Sequence, residues 1–277
     1  MKIINRNNLP EAIFKFLQND LYDGVKGGES YSVTELLKPI REIVLTRRHW
    51  NEIEVDAEDR VWSLFGQGVH AVLEKEEGAE PVERLYGEID GHKISGKFDR
   101  IKDGVIYDYK VTSAWTVVYD SRRDEWTDQL SGYRWLYWKK YNKELGNIGH
   151  IIAILRDWSK KEVKPDGKYP VGPIVDIPIN LVSLPKTEFM LRNKLRRIET
   201  ATKTGVLPEC TNDERWYNAK KNAFNKCLVR NLATGDTLGG NDRGPGFCIF
   251  IPKIIFHGFK ATWCLFLEQE DSSLHRP

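Results

Sequence analysis

A chain of 277 residues with 40% hydrophobic content can bury a substantial core, and a net charge of +2, from 42 basic and 40 acidic side chains, excludes the uniform basic field of a chromatin-type protein. Any affinity for nucleic acid must be local, at spots such as Arg122-Arg123, Lys139-Lys140 or Arg196-Arg197, each of which reads equally well as a solvated helix face. The first residues, MKIINRNNLPEAIF, have no apolar run of signal-peptide length and the apolar tail is broken by Pro252, Lys253, His257 and Lys260, so the expectation is a cytoplasmic protein with no membrane partner.

Residues 1–57 read as a polar, helical N-terminal flank, in which Ser32 or Thr34 caps a helix with Leu36, Leu37, Ile40, Ile43 and Val44 on its apolar face. Residues 58–208 read as the core domain and 209–277 as a tail of uncertain fold, glycine-rich and then apolar without periodicity. A second helix runs from Asp56, with Val61, Phe65, Val69 and Val72 as a buried stripe and Gly66, His70 and Glu74 as the adjacent one. A glycine inside a helix costs about 1 kcal/mol relative to alanine. Gly66 is therefore expected to mark close approach to a sheet, which would carry His70 inward.

Residues 82–112 are expected to form a three-stranded antiparallel meander, with tight turns at Asp90-Gly91 and Asp103-Gly104. If the second turn is type I′, Lys102 pairs with Val105, and counting outwards sets Asp99 opposite Asp108. Lys110 then shares their face, while Phe98, Tyr107 and Tyr109 point the other way. Two carboxylates with β-carbons about 4.5–5.5 Å apart need a compensating cation. Their hard oxygens suit Mg²⁺ or Mn²⁺, and a lysine beside them could act on a nucleophilic water and offset transition-state charge, the parts that phosphodiester hydrolysis uses. The competing reading is a solvated hairpin whose aspartates are neutralised by Lys97 and Lys110.

The next helix starts at Asp124, with Trp126, Leu130, Tyr133 and Tyr137 on its apolar face and Gln129 one turn before Tyr133. The run IGHIIAIL follows as a buried strand, so that strand 105–112, helix and strand 148–155 form a βαβ crossover and the sheet is mixed. PIVDIPINL supplies a further strand, and a helix from Pro185 to Thr202 points Phe189, Leu191, Leu195 and Ile198 inward. Trp115, Trp126 and Trp135 are candidates for stacking on bases, with burial in the core as the alternative.

Gly66-x-x-x-His70, the Gly96-Lys97-Phe98-Asp99 strand, Asp108-Tyr109-Lys110 and Gln129-x-x-x-Tyr133 together resemble, in order and spacing, the PD-(D/E)XK nuclease superfamily and within it the RecB-like exonucleases of phage-encoded and CRISPR-associated type. The resemblance extends from residue 30 to about 215 and takes in SVTELL, RDWS and LPECT. It implies an α/β, restriction-endonuclease-like core with a central mixed sheet flanked by helices, and a metal-dependent DNA exonuclease acting on DNA with a free end. The alternatives are a restriction-like or structure-specific endonuclease and a catalytically silent recombination subunit, and homo-oligomers or a recombination partner protein belong to the same expectation.

Carried onto this chain, the resemblance makes Asp99, Asp108 and Lys110 catalytic, with Asp99, Asp108, His70 and the backbone carbonyl of Tyr109 as ligands of Mg²⁺ or Mn²⁺ and with Gln129 and Tyr133 positioning the substrate. Many relatives of this type carry a [4Fe–4S] cluster, and Cys210 in LPECT resembles its first ligand. Cys227, Cys248 and Cys264 are spread too widely for a compact cluster motif, which favours plain thiols.

Overall fold

The structure is a computed structural model that describes residues 1–18, 30–73 and 83–209, with the backbone of four two-residue strands between 217 and 238. The N-terminal stretch is more than a helical flank. Strand β1 (Lys2–Ile4) pairs in parallel with β3 (Glu54–Asp56), enclosing α1 (Glu11–Gln18), the short β2 (Tyr31–Ser32), α2 (Val33–Leu36) and α3 (Ile40–Arg48). Ser32 is the expected cap, its Oγ accepting from the Glu35 N–H at 3.1 Å. The long helix expected there is broken in two because Pro39 cannot continue α2 and instead precedes the first residue of α3. Ile40, Ile43 and Val44 are buried in the main core, whereas Leu45 turns to a smaller cluster with Ile3, Leu17, Ile53 and Val55.

After a 3₁₀ turn at Ala57–Arg60 comes α4 (Val61–Leu73), followed beyond residue 82 by the hairpin β4 (Leu85–Ile89) and β5 (His92–Gly96). Then come β6 (Arg100–Lys102), β7 (Val105–Thr112), α5 (Ala114–Val118), α6 (Arg123–Tyr141), β8 (Ile148–Leu155), β9 (Ile174–Asn180) and α7 (Leu184–Thr204). The principal sheet has the order β6-β7-β8-β9, with β7 parallel to β8 across the α6 crossover and both outer strands antiparallel. This is the mixed sheet that the alternation of strands and helix implies.

The expected three-stranded meander does not form. Both turns are where the Asp-Gly pairs put them, with Asp90, Gly91, Asp103 and Gly104 all at positive φ. But β4 and β5 belong to a separate sheet of order β2-β5-β4, and the chain leaves it through Lys97–Asp99 to enter the four-stranded one. Packing against α6 forces the crossing. A β-carbon at Gly96 would lie 2.8 Å from the Tyr133 ring and 2.8 Å from Leu136 Cδ1, and Phe98 is buried with its ring 6.1 Å from that of Tyr133. Sinking Phe98 under the helix pulls the strand away from its neighbour between Gly96 and Arg100.

Helix α6 is enclosed on nearly every side. Trp126, Leu130 and Tyr133 are buried as the periodicity predicts, and so are Gln129, Ser131, Gly132, Trp135 and Leu136. Trp126 and Trp135 are wholly buried, which removes them as base-stacking candidates; Trp135 Nε1 donates to Glu188 of α7 at 3.0 Å. On α7 the inward set is Leu184, Thr187, Leu195, Ile198 and Ala201. Phe189 is 66% exposed rather than inward, since two residues beyond Thr187 is about 200° round a helix.

Helix α4 departs furthest from expectation. None of its residues is fully buried, Phe65 and Val72 face outward, and a β-carbon at Gly66 would meet nothing within 4 Å, so close approach does not explain that glycine. Two opposite outcomes follow. Gly96→Ala should lower the unfolding free energy by about 1–3 kcal/mol through overpacking, and Gly66→Ala should raise it by about 1 kcal/mol through helix propensity, both measurable by urea denaturation.

Candidate active site

The register at the heart of the site is the expected one: Lys102 pairs with Val105, Ile101 with Ile106 and Arg100 with Tyr107. The ladder stops there, one pair short of Asp99 and Asp108, because Asp99 lies at the bend before β6. The Asp99 carboxylate takes over from the missing ladder, Oδ2 accepting from the Tyr109 backbone N–H at 2.7 Å. Asp99 is thereby clamped beside β7 by its side chain rather than by its backbone.

Along β7, Ile106, Asp108 and Thr112 are buried while Tyr107 and Tyr109 alternate with them on the other face, where the Tyr107 ring stacks on His150 at 5.2 Å. Asp108 is 2% exposed. Burial pushes its carboxyl above the usual range, the Lys110 ammonium opposes that shift, and the nearby Asp99 charge adds to it. Lys110 Nζ is 2.6 Å from Asp108 Oδ2. This short, charge-assisted contact is the one partner that the buried Oδ2 has among the described residues.

His70 reaches this group from α4, with Nδ1 2.9 Å from Asp99 Oδ1. The Asp99 contact raises the imidazole above its ordinary value, burial works against it, and the Asp108 charge helps while Lys110 opposes. The donors thus stand as two adjacent ion pairs, His70–Asp99 and Lys110–Asp108. Among the described residues no three His, Cys, Asp or Glu side chains converge in metal-binding geometry. The donor chemistry nevertheless fits a divalent cation: two hard carboxylates, one of them buried with its ionisation opposed by burial, and an imidazole whose Nε2 remains available when Nδ1 faces Asp99.

Gln129 and Tyr133 lie on α6, both buried, with Gln129 Nε2 donating to Tyr133 Oη at 2.8 Å. The helix repeat that suggested the pair does bring them together. Cys210, Glu74 and the other three cysteines lie outside the described residues. In the RDWS stretch, Asp157 accepts from Ser113 Oγ at 2.6 Å and from the Ala114 N–H at 2.7 Å. Burial opposes ionisation there, but these hydrogen bonds win and hold the carboxyl below its usual range. Together with the Arg156 N–H to Thr112 carbonyl bond of 3.0 Å, they tie the C-terminal ends of β7 and β8 beneath the start of α5.

Sequence reasoning missed one group. Trp62 and Phe65 project from α4 at 54% and 52% exposure with ring centroids 5.5 Å apart, and the Arg156 guanidinium lies 4.4 Å from the centre of the Trp62 ring. An apolar run such as VWSLF reads as core, and only the tertiary placement of α4 shows that part of it faces out.

Two measurements probe the electrostatics. In EDTA, an NMR titration should place the His70 pKa above the ordinary imidazole value, and Asp99→Asn should bring it down. Because the folded value is raised, the His70–Asp99 pair contributes its full stability below the unfolded imidazole pKa and loses it as pH rises through the folded one. Asp108 carries a raised carboxyl pKa, so its charge costs stability above the unfolded carboxyl pKa. Asp108→Asn should therefore leave the EDTA-treated protein at least as stable as wild type at neutral pH, as read by thermal unfolding.

No match was found among curated protein sequences. Among solved structures the chain resembles SSO0001, at 19% identity and a TM-score of 0.42 over 66% of this chain and 83% of that one. It also resembles an alkaline exonuclease from Laribacter hongkongensis, at 8% identity and a TM-score of 0.36 over 62% of this chain and 89% of that one. The model of the PD-(D/E)XK nuclease superfamily matches residues 18–233, most of the sequence and all of the site described above, and the chain belongs to that superfamily.

Proposed function

We propose that this protein is a divalent-metal-dependent exodeoxyribonuclease of the RecB-like kind, degrading DNA from a free end. The observation that carries the reading is the state of Asp108: a carboxylate buried against a single lysine, with the charge of a second carboxylate adding to the cost of its ionisation. A fold pays for such an arrangement where chemistry uses it, since a solvated hairpin would leave both aspartates in water. Membership of a nuclease superfamily supports the same reading.

In this reading Asp99, Asp108, the Tyr109 carbonyl and His70 hold Mg²⁺ or Mn²⁺, and the imidazole favours the softer Mn²⁺. The cation supplies Lewis-acid polarisation of the scissile phosphate and neutralises its charge. Lys110 orients the attacking water and stabilises charge that develops on the phosphoryl oxygens. The Tyr109 N–H fixes Asp99, so that carboxylate is aimed before substrate arrives. Gln129 and Tyr133, bonded to each other inside α6, position the phosphate or the lysine. His70 must be neutral to act as a ligand, so its contact with Asp99 makes metal affinity fall as pH drops.

The decisive experiment follows end-labelled linear DNA and covalently closed circular DNA with Mg²⁺, Mn²⁺ or EDTA. Wild type should consume only the linear substrate and only with metal, and Lys110→Ala or Asp108→Asn should lose about 10²–10⁴-fold in rate. Cutting of the closed circle would assign the protein to the endonucleases instead. DNA binding without cleavage in every metal would leave the fold as a silent binding subunit.

A further inference from the structure

We infer that the outward face of α4 is a grip for single-stranded DNA, in which unpaired bases stack on Trp62 and Phe65 while Arg156 holds the adjoining phosphate. The inference rests on the nuclease reading above and specifies how that site takes its strand. The helix is anchored at both ends. At one end His70 contacts Asp99, which is clamped to Tyr109 of β7; at the other, Trp62 lies under Arg156, which follows β8 and is bonded to Thr112 at the end of β7. Helix α4 therefore runs along β7 from its C-terminal end back to the paired carboxylates. Eight residues of helix span about 12 Å, the length of three to four stacked nucleotides of one strand at about 3.4 Å each.

What faces outward there matches a strand in chemistry. Exposed Trp and Phe side by side cost free energy in water without contributing to the core. Arg156 is exposed and forms no ion pair among the described residues, although its charge acts on the neighbouring Asp157 carboxylate; its guanidinium carbon lies 4.4 Å from the centre of the indole ring, a cation–π contact that leaves N–H groups for an anion. Two neighbouring aromatic rings beside a guanidinium suit a base and its phosphate together, the rings taking the base and the cation the phosphate. Gly66 and Gly68 add a second observation. Each weakens the helix, and neither makes room for any part of the protein, because a β-carbon at either would meet nothing within 4 Å. Gly66, one helical turn from both Trp62 and His70, leaves bare backbone between them, the room a sugar-phosphate chain needs to lie close to the helix.

The test uses the purified full chain and a short fluorescein-labelled oligothymidylate, with binding measured by anisotropy in EDTA over a series of salt concentrations and cleavage measured in Mn²⁺. Trp62→Ala should weaken binding on the order of tenfold with the salt slope unchanged, and Trp62→Phe should recover most of the loss. Arg156→Gln should flatten the slope of log affinity against log salt by about 0.7, the release of one counterion from a single strand. Both should raise KM for linear DNA and leave kcat within about twofold. Because these side chains are exposed, circular dichroism should show the variants folded as wild type. If wild type degrades linear DNA and the three variants match it in affinity, salt slope and KM, the grip is wrong while the nuclease reading stands. If wild type neither binds nor degrades DNA, the nuclease reading itself fails and the grip with it.

Discussion

The carboxylate of Asp108, buried against Lys110 and within reach of the Asp99 charge, is the constraint around which the molecule is arranged. Its burial alone pushes the carboxyl towards the neutral form, and the lysine only partly compensates. Such a group survives in a fold of marginal stability because the surrounding frame is firm. Strand β7 is paired to β6 as far as Tyr107 and to β8 from Tyr107 to Thr112, the Asp99 side chain takes over on the first edge at Tyr109, and the far end is tied down by the Asp157 and Arg156 contacts at the start of α5. The site is costly because the strand that carries it is one of the two inner strands of the sheet.

The frame is set by α6. Close packing of this helix against both sheets determines where the strands can pair. Gly96 and Gly132 lie where a side chain would collide with Tyr133 or Leu136 and with Val33, so the helix sits directly on β5 and on α2. The same contact buries Phe98 and breaks the strand between β5 and β6. That break lifts Asp99 out of the ladder and lets its carboxylate, rather than its backbone, bond to Tyr109. A packing event in the core thus decides the orientation of a side chain in the site.

Helix α4 is the opposite case, a helix held by its ends and sides without a single buried residue. Its inner edge delivers His70 to Asp99, and its outer edge offers Trp62 and Phe65 to solvent. A helix that contributes so little to the core can be spent on recognition, which is where apolar surface without a structural partner acquires meaning.

The sequence by itself determined the local chemistry and most of the topology. Asp103-Gly104 fixes a turn at positive φ, the turn fixes the register of β6 on β7, and strict alternation then puts Asp108 on the face opposite Tyr107 and Tyr109. The β7–α6–β8 crossover and the Gln129–Tyr133 pair follow from helical and strand periodicity in the same way. These are short-range rules, satisfied within one element or across one turn. Only the tertiary structure decided that the meander splits between two sheets, that Asp99 acts through its side chain on Tyr109, and that Phe65, Val72 and Phe189 face outward. Each of those outcomes depends on what packs against the element from elsewhere in the chain, and a helical or strand period states which residues share a face but not which face meets a neighbour.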